Sequence, residues 1–154
     1  MNLTFTFDAN RLEGLVEEKM ELAKLRVVYA MTGEVYDIVM KNFGPIGIDR
    51  PLPWAPLSNR APYFYAQQVG RQFATLRVTG AMEQAVRHQI SPDGGSVTLS
   101  DEDCRYATRH HFGDPEKNLP IRRVFPINLD GSITDYTRAA VLDAATKALE
   151  AELA

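Results

Sequence analysis

A chain of 154 residues is the length of one domain with a real core, and 45% hydrophobic against 24% charged residues is an ordinary globular balance. The net charge of -3 excludes a wholesale attraction to nucleic acid, and a lone cysteine, Cys104, excludes an intrachain disulfide and a thiolate zinc site. No run approaches the roughly 20 apolar residues that span a bilayer, and the start Met-Asn-Leu-Thr-Phe-Thr-Phe-Asp lacks the basic and apolar regions of a signal peptide, so a cytoplasmic protein is expected.

Residues 2–7 alternate, with Leu3, Phe5 and Phe7 on one side, which predicts a short strand with one buried face. From about Arg11 to Asn42 apolar residues recur at threes and fours (Leu12, Leu15, Leu22, Leu25, then Val35, Ile38, Val39), the stripe of a long helix. Thr32-Gly33 interrupts it, and a helical Gly costs about 1 kcal/mol relative to Ala, so the alternatives are one long bent helix or two helices broken near Gly33. Residues 44–62 hold seven Pro or Gly around the single tryptophan, Trp54. That pattern predicts an extended Pro-rich loop anchored by Trp54 and Leu57. A short segment, Thr75 to Met82, ends around Gly80. Ala85–Ile90 and Ser96–Ser100 alternate on either side of Pro92-Asp93-Gly94-Gly95, a β-hairpin with the turn at those four residues.

Asp101-Glu102-Asp103 reads as an acidic loop. Ile121–Ile127 reads as a further extended run, which Pro120 and Pro126 would confine to a sheet edge if it joins the sheet. Ser132 and Asp135 have the spacing of a capping box before a last helix with the stripe Ile133, Tyr136, Ala140, Val141, Ala144, Ala148 and Leu149. These elements, in this order, predict a single α+β domain over residues 1–154, an antiparallel sheet with the long N-terminal and the C-terminal helix on one face.

The chemistry-bearing residues crowd between Cys104 and Pro126. Adjacent His110 and His111 point apart on any regular element and make a poor chelating pair. A metal site would need Asp101, Asp103 or Asp114 as well, so a structural or interface role is the better reading. Cys104 with a histidine as base lacks an evident oxyanion hole or orienting group, and a small buried thiol is the better reading. Arg105, Arg109, Arg122 and Arg123, with Lys117, form the one basic cluster, open to nucleic-acid phosphates or to the acidic ends of a neighbouring copy. Those ends are real: residues 1–43 carry five Lys/Arg against seven Asp/Glu, and 124–154 carry two against five, while 44–123 carry ten against eight. Three readings result: a self-associating assembly protein, a small metal- or Cys/His-dependent hydrolase, or a DNA-contacting module built on the Arg105–Arg123 cluster.

Taken in order, Pro53-Trp54-Ala55-Pro56-Leu57-Ser58, Leu76-Arg77-Val78-Thr79-Gly80-Ala81-Met82, Tyr106-Ala107 with His110-His111-Phe112-Gly113, and Pro120-Ile121-Arg122 with Phe125 resemble the phage virion morphogenesis family. That family comprises the Mu-like morphogenesis and tail-completion proteins of tailed bacteriophages. Met82 stands where that family tends to have Leu, and residues 44–53 lack a clear Gly just before Trp54. The resemblance covers most of the chain from Trp54 onward. It implies a structural, non-enzymatic phage or prophage protein, without cofactor or metal, acting in tail completion or head–tail joining, akin to a head–tail connector or tail terminator. It further implies a ring-forming homo-oligomer docking to other neck, tail or head-completion proteins, with a passing contact to DNA and none to membrane, located in the virion and, during assembly, in the host bacterial cytoplasm. Interface or structural-corner residues would be Trp54, Leu57, Tyr106, Arg109, His110, His111, Phe112, Arg122, Arg123 and Phe125.

Overall fold

The alternation at the N-terminus becomes β1 (Asn2–Asp8), and the hairpin becomes β2 (Val86–Ser91) and β3 (Gly94–Ser100). The structure is a computed structural model that describes residues 2–8, 20–43, 80–100 and 102–153. The three strands form an antiparallel sheet in the order β1-β3-β2, with Phe5 opposite Val97 on one side and His88 opposite Val97 on the other. Ser91 pairs with Gly94, so the loop is Pro92-Asp93 alone, and the two glycines begin the strand instead of making the turn. Neither loop residue has positive φ, which suits a proline locked near -65°.

One face of the sheet is apolar. Val97 and Leu99 are fully buried, Val86 nearly so, and Phe5 packs against them. Across this face lies α1 (Met20–Lys41), presenting Val28, Val35, Val39 and, just past its end, Phe43. The helix runs through Gly33 without a break. Thr32, the residue beside it, is fully buried, and its hydroxyl donates to Val28 O at 2.7 Å. A Cβ on Gly95 would overlap Thr32 Oγ1 and come within 2.9 Å of Thr32 Cβ. The Thr-Gly pair read as a helix interruption is therefore a point of close approach between helix and sheet, and Gly95 makes that approach sterically allowed. Along the opposite face, Arg87 and Gln89 are exposed beside Thr98 and Ser96, as are Thr4 and Thr6 across β3.

Before the hairpin, Gly80 at φ 73° leads into a one-turn helix, α2 (Ala81–Gln84), which buries Met82. The last element is α4 (Asp135–Leu153). It packs along α1 through Thr137, Val141 and the small residues Ala144 and Ala148, and runs antiparallel to it, pairing Glu152 near its end with Arg26 near the start of α1. Two expectations for this helix are corrected. Its N-cap is Thr134, whose Oγ1 accepts the Thr137 N–H at 3.4 Å and donates to Thr137 Oγ1 at 2.9 Å. Ser132 is engaged earlier, donating its N–H and its hydroxyl to Asp130 Oδ1 at 2.9 and 2.6 Å around Gly131. Tyr136 and Leu149 are exposed because α1 meets the side of α4 centred on Thr137 and Val141. The architecture is α+β, with the helices on one side of an antiparallel sheet.

Candidate functional site

From Ser100 the chain turns tightly, with Cys104 N–H donating to Ser100 O at 2.9 Å, and enters α3 (Ala107–Phe112). Cys104, Ala107 and His111 form the inward side of this turn and helix and are buried. The helix stops at Gly113, which has φ 79°; a Cβ there would meet Ile121 Cγ1 at 3.0 Å and Leu119 O at 3.1 Å. A small excursion follows, closed by Asp114 and Leu119, with a 3-10 turn at Pro115–Lys117 and Asn118 in the left-handed region. The chain then returns past α3 as an extended arc, residues 120–126.

The sequence leaves open whether this run joins the sheet, and the arc pairs with none of β1, β2 and β3. Its backbone groups are used elsewhere. Arg122 N–H donates to His110 O at 2.7 Å, meeting a carbonyl that the end of α3 leaves without an intrahelical partner. Phe125 N–H donates to His111 Nδ1 at 3.3 Å, and Val124 O accepts Asn42 Nδ2–H at 3.0 Å. The arc is thus hung on α3 at two points and on the end of α1 at one, with Val124 and Phe125 fully buried between them. Sequence reasoning passed over Asn42. Its signal was there: an uncharged amide in the last turn of an apolar stripe, between Val39 and Phe43.

The two histidines are held neutral. Burial pushes His111 from 6.5 down to about 4, and the charge of Arg123 adds to the effect. His110 falls to about 4 for the same first reason, with Arg122 as the second. Because Nδ1 of His111 accepts, its proton sits on Nε2, a buried atom with no hydrogen-bond partner among the described residues. The ring stands edge-on to Phe112 at 4.7 Å and to Phe125 at 6.5 Å between centroids, and Tyr106 meets His110 edge-on at 5.8 Å. Such an imidazole wedges and orients the arc. At neutral pH it is uncharged.

Tyr106, His110, His111, Phe112, Arg122 and Phe125 are therefore brought together at one corner, whereas the basic cluster is divided. Arg122 is buried and Arg123 half-buried, with its Nη1 donating to Asn128 Oδ1 at 3.3 Å. Arg105, Arg109 and Lys117 are exposed, and Arg109 reaches Asp114 only at 3.9 Å, a surface pair of little energetic weight. Cys104 is a buried free thiol. Glu102 and Asp103 are exposed, and among the described residues no group of three or more His, Cys, Asp or Glu could hold a metal ion. Trp54, Leu57 and Asp101 lie outside the described residues. No helix among the described residues is long and apolar enough to cross a membrane. No family model, curated protein or solved structure matches the chain.

Proposed function

We propose that this chain is a structural phage protein of virion morphogenesis, acting in tail completion or head–tail joining by self-association and by docking to other virion proteins. The observation that carries the reading is the ordered set of motifs from Trp54 to Phe125, which resembles the phage virion morphogenesis family. The geometry of the corner supports it from a different direction. Two of those motifs, Tyr106–Gly113 and Pro120–Phe125, converge there, tied by the bonds from Arg122 to His110 and from Phe125 to His111. These residues stiffen a shape. The imidazoles are turned to packing and orientation. Arginines and a half-exposed Tyr106 remain on the outside, the composition found at protein interfaces.

Deleting the gene from its phage or prophage and viewing the lysate by electron microscopy tests the reading. Unjoined heads and tails, or tails of uncontrolled ends, are expected, with the protein itself present in purified virions from the parent. Normal joined particles in the deletion would overturn it.

A further inference from the structure

We propose that the arc over residues 120–126 is a strap latched by the neutral imidazole of His111, which protonation of that ring releases while the sheet and the two long helices stay folded. This holds whether or not the chain docks to other virion proteins.

The latch is a single peptide unit. The peptide joining Val124 to Phe125 is gripped on both edges: its carbonyl oxygen accepts Asn42 Nδ2–H at 3.0 Å, and its N–H donates to His111 Nδ1 at 3.3 Å. Asn42 and His111 are fully buried, so breaking either bond leaves a buried polar group unpaired. Asn42 keeps its donor at any pH. Nδ1 of His111 accepts only while the ring is neutral. A proton there makes it a donor aimed at another donor, the Phe125 N–H, and sets a charge beside the rings of Phe112 and Phe125.

No group around the ring offsets that charge. The arc brings Arg123, which acts on His111, and Arg122, which acts on His110. The turn before α3 brings the buried Cys104 thiol, and the end of α1 brings the uncharged Asn42. Arg109 on α3 and Lys41 on α1 are exposed, and Asp114, past the helix, is turned to Arg109. No carboxylate contributes to the balance of either imidazole. In the closed strap burial keeps His111 neutral down to about pH 4, whereas a solvated imidazole takes its proton near pH ~6.5. Acid between those values favours any state that uncovers the ring.

The fold confines that state to the arc. Before it, Asp114 and Leu119 pair with each other; at its far end Pro126 O accepts Thr134 N–H at 3.0 Å. Between these ties the arc pairs with no strand of the sheet, and Arg122 N–H, like Phe125 N–H, is bonded to α3. The arc can therefore lift and return without unzipping a ladder.

Amide hydrogen exchange on the full chain, resolved by residue and expressed as protection over the free peptide, tests this. Between about pH 7 and about pH 5 the Arg122 and Phe125 amides are expected to lose about tenfold or more in protection. That exchange should not respond to urea below the unfolding transition, because a local opening exposes little surface. The Val97 and Leu99 amides of the central strand should stay better protected at both pH values and lose protection steeply with urea. In His111→Asn, which keeps an acceptor and cannot charge, the acid loss at Phe125 should disappear. Should that variant fold poorly, His111→Gln replaces it.

Unchanged Phe125 protection at the lower pH would overturn the proposal. So would Phe125 and Val97 amides that share one protection and one urea slope, since the chain would then open only as a whole. An acid loss that survives in His111→Asn and vanishes in His110→Asn would also overturn it, and would place the latch on the other ring.

Discussion

Beneath α1, Val97 and Leu99 sit in a strand whose backbone pairs with β1 on one side and β2 on the other. Beneath α3, Val124 and Phe125 are buried as completely, yet the arc that carries them pairs with no strand and is suspended from His110, His111 and Asn42. The first region is held by a repeating ladder, in which one lost contact leaves its neighbours in place. The second is held by single bonds from separate elements and by aromatic rings, so its shape depends on individual side chains, one of them titratable. A surface that must present a fixed shape to a partner is better served by the second construction only while those few bonds hold.

Emptying the corner is the severest challenge. Phe125→Ala is expected to cost about 3–5 kcal/mol in urea unfolding, as for other fully buried aromatics. Leu99→Ala in the sheet should cost about 2–5 kcal/mol. The two differ in where the loss appears: amide exchange should quicken around His110–Phe125 in the first variant and across the hairpin in the second. A cost under about 1 kcal/mol for Phe125→Ala would show that the corner does not belong to the core.

Acid should separate the regions next. With His110 and His111 lowered from 6.5 to about 4, the unfolded chain binds more protons than the folded one between those values. Stability is therefore fully present above about pH 6.5 and is lost as the pH falls toward 4, by about 3 kcal/mol for the buried His111 and by less for the part-exposed His110, whose charge water screens. Protonation of His111 would put a hydrogen on Nδ1, facing the Phe125 N–H that now donates to it. His111→Asn keeps an acceptor near that place and cannot charge. Its stability curve is expected to be flatter than the parent's between pH 6.5 and 4, and coincident curves would remove His111 as the cause.

In the sheet region the tightest point is steric. Gly95→Ala places a Cβ against Thr32 and is expected to cost about 1–3 kcal/mol. Most of that should return in the Thr32→Ala background, since the hydroxyl and methyl it meets are gone. Additive losses in the double-mutant cycle would mean that the two residues do not press on each other. This contact also shows where the sequence stops being legible. Alternation, the Pro-Asp-Gly-Gly turn and the apolar stripe are local signals, and they locate the strands, the hairpin and both long helices. That Gly95 lies under Thr32 is a relation between residues far apart in the chain, and Gly33 next door invited a local explanation. The arc shows the same limit: its extended character is a local signal, and only the remote donors and acceptors on His110, His111 and Asn42 decide that it hangs on α3 and the end of α1. Of the candidate site, the crowding of aromatic, histidine and arginine residues was visible, while the burial of Arg122 and exposure of Arg105 were not.

The smallest expected effect concerns where α4 begins, and it weighs a sequence motif against geometry directly. Ser132 has the spacing of a capping residue, but its hydroxyl and N–H both go to Asp130, whose carboxyl those bonds hold below its usual range. Thr134 accepts from the N–H three residues on, as a cap does. Thr134→Ala should therefore lower the melting midpoint by the equivalent of about 1 kcal/mol, and Ser132→Ala by less. Because Thr134 and Thr137 are buried partners, Thr134→Ser, which keeps the oxygen and drops only the methyl, should recover most of the loss. If Ser132→Ala proved the more damaging, the helix would start on the residue its spacing suggests, and the first turn of α4 would have to be redrawn one step toward the Asp130 loop.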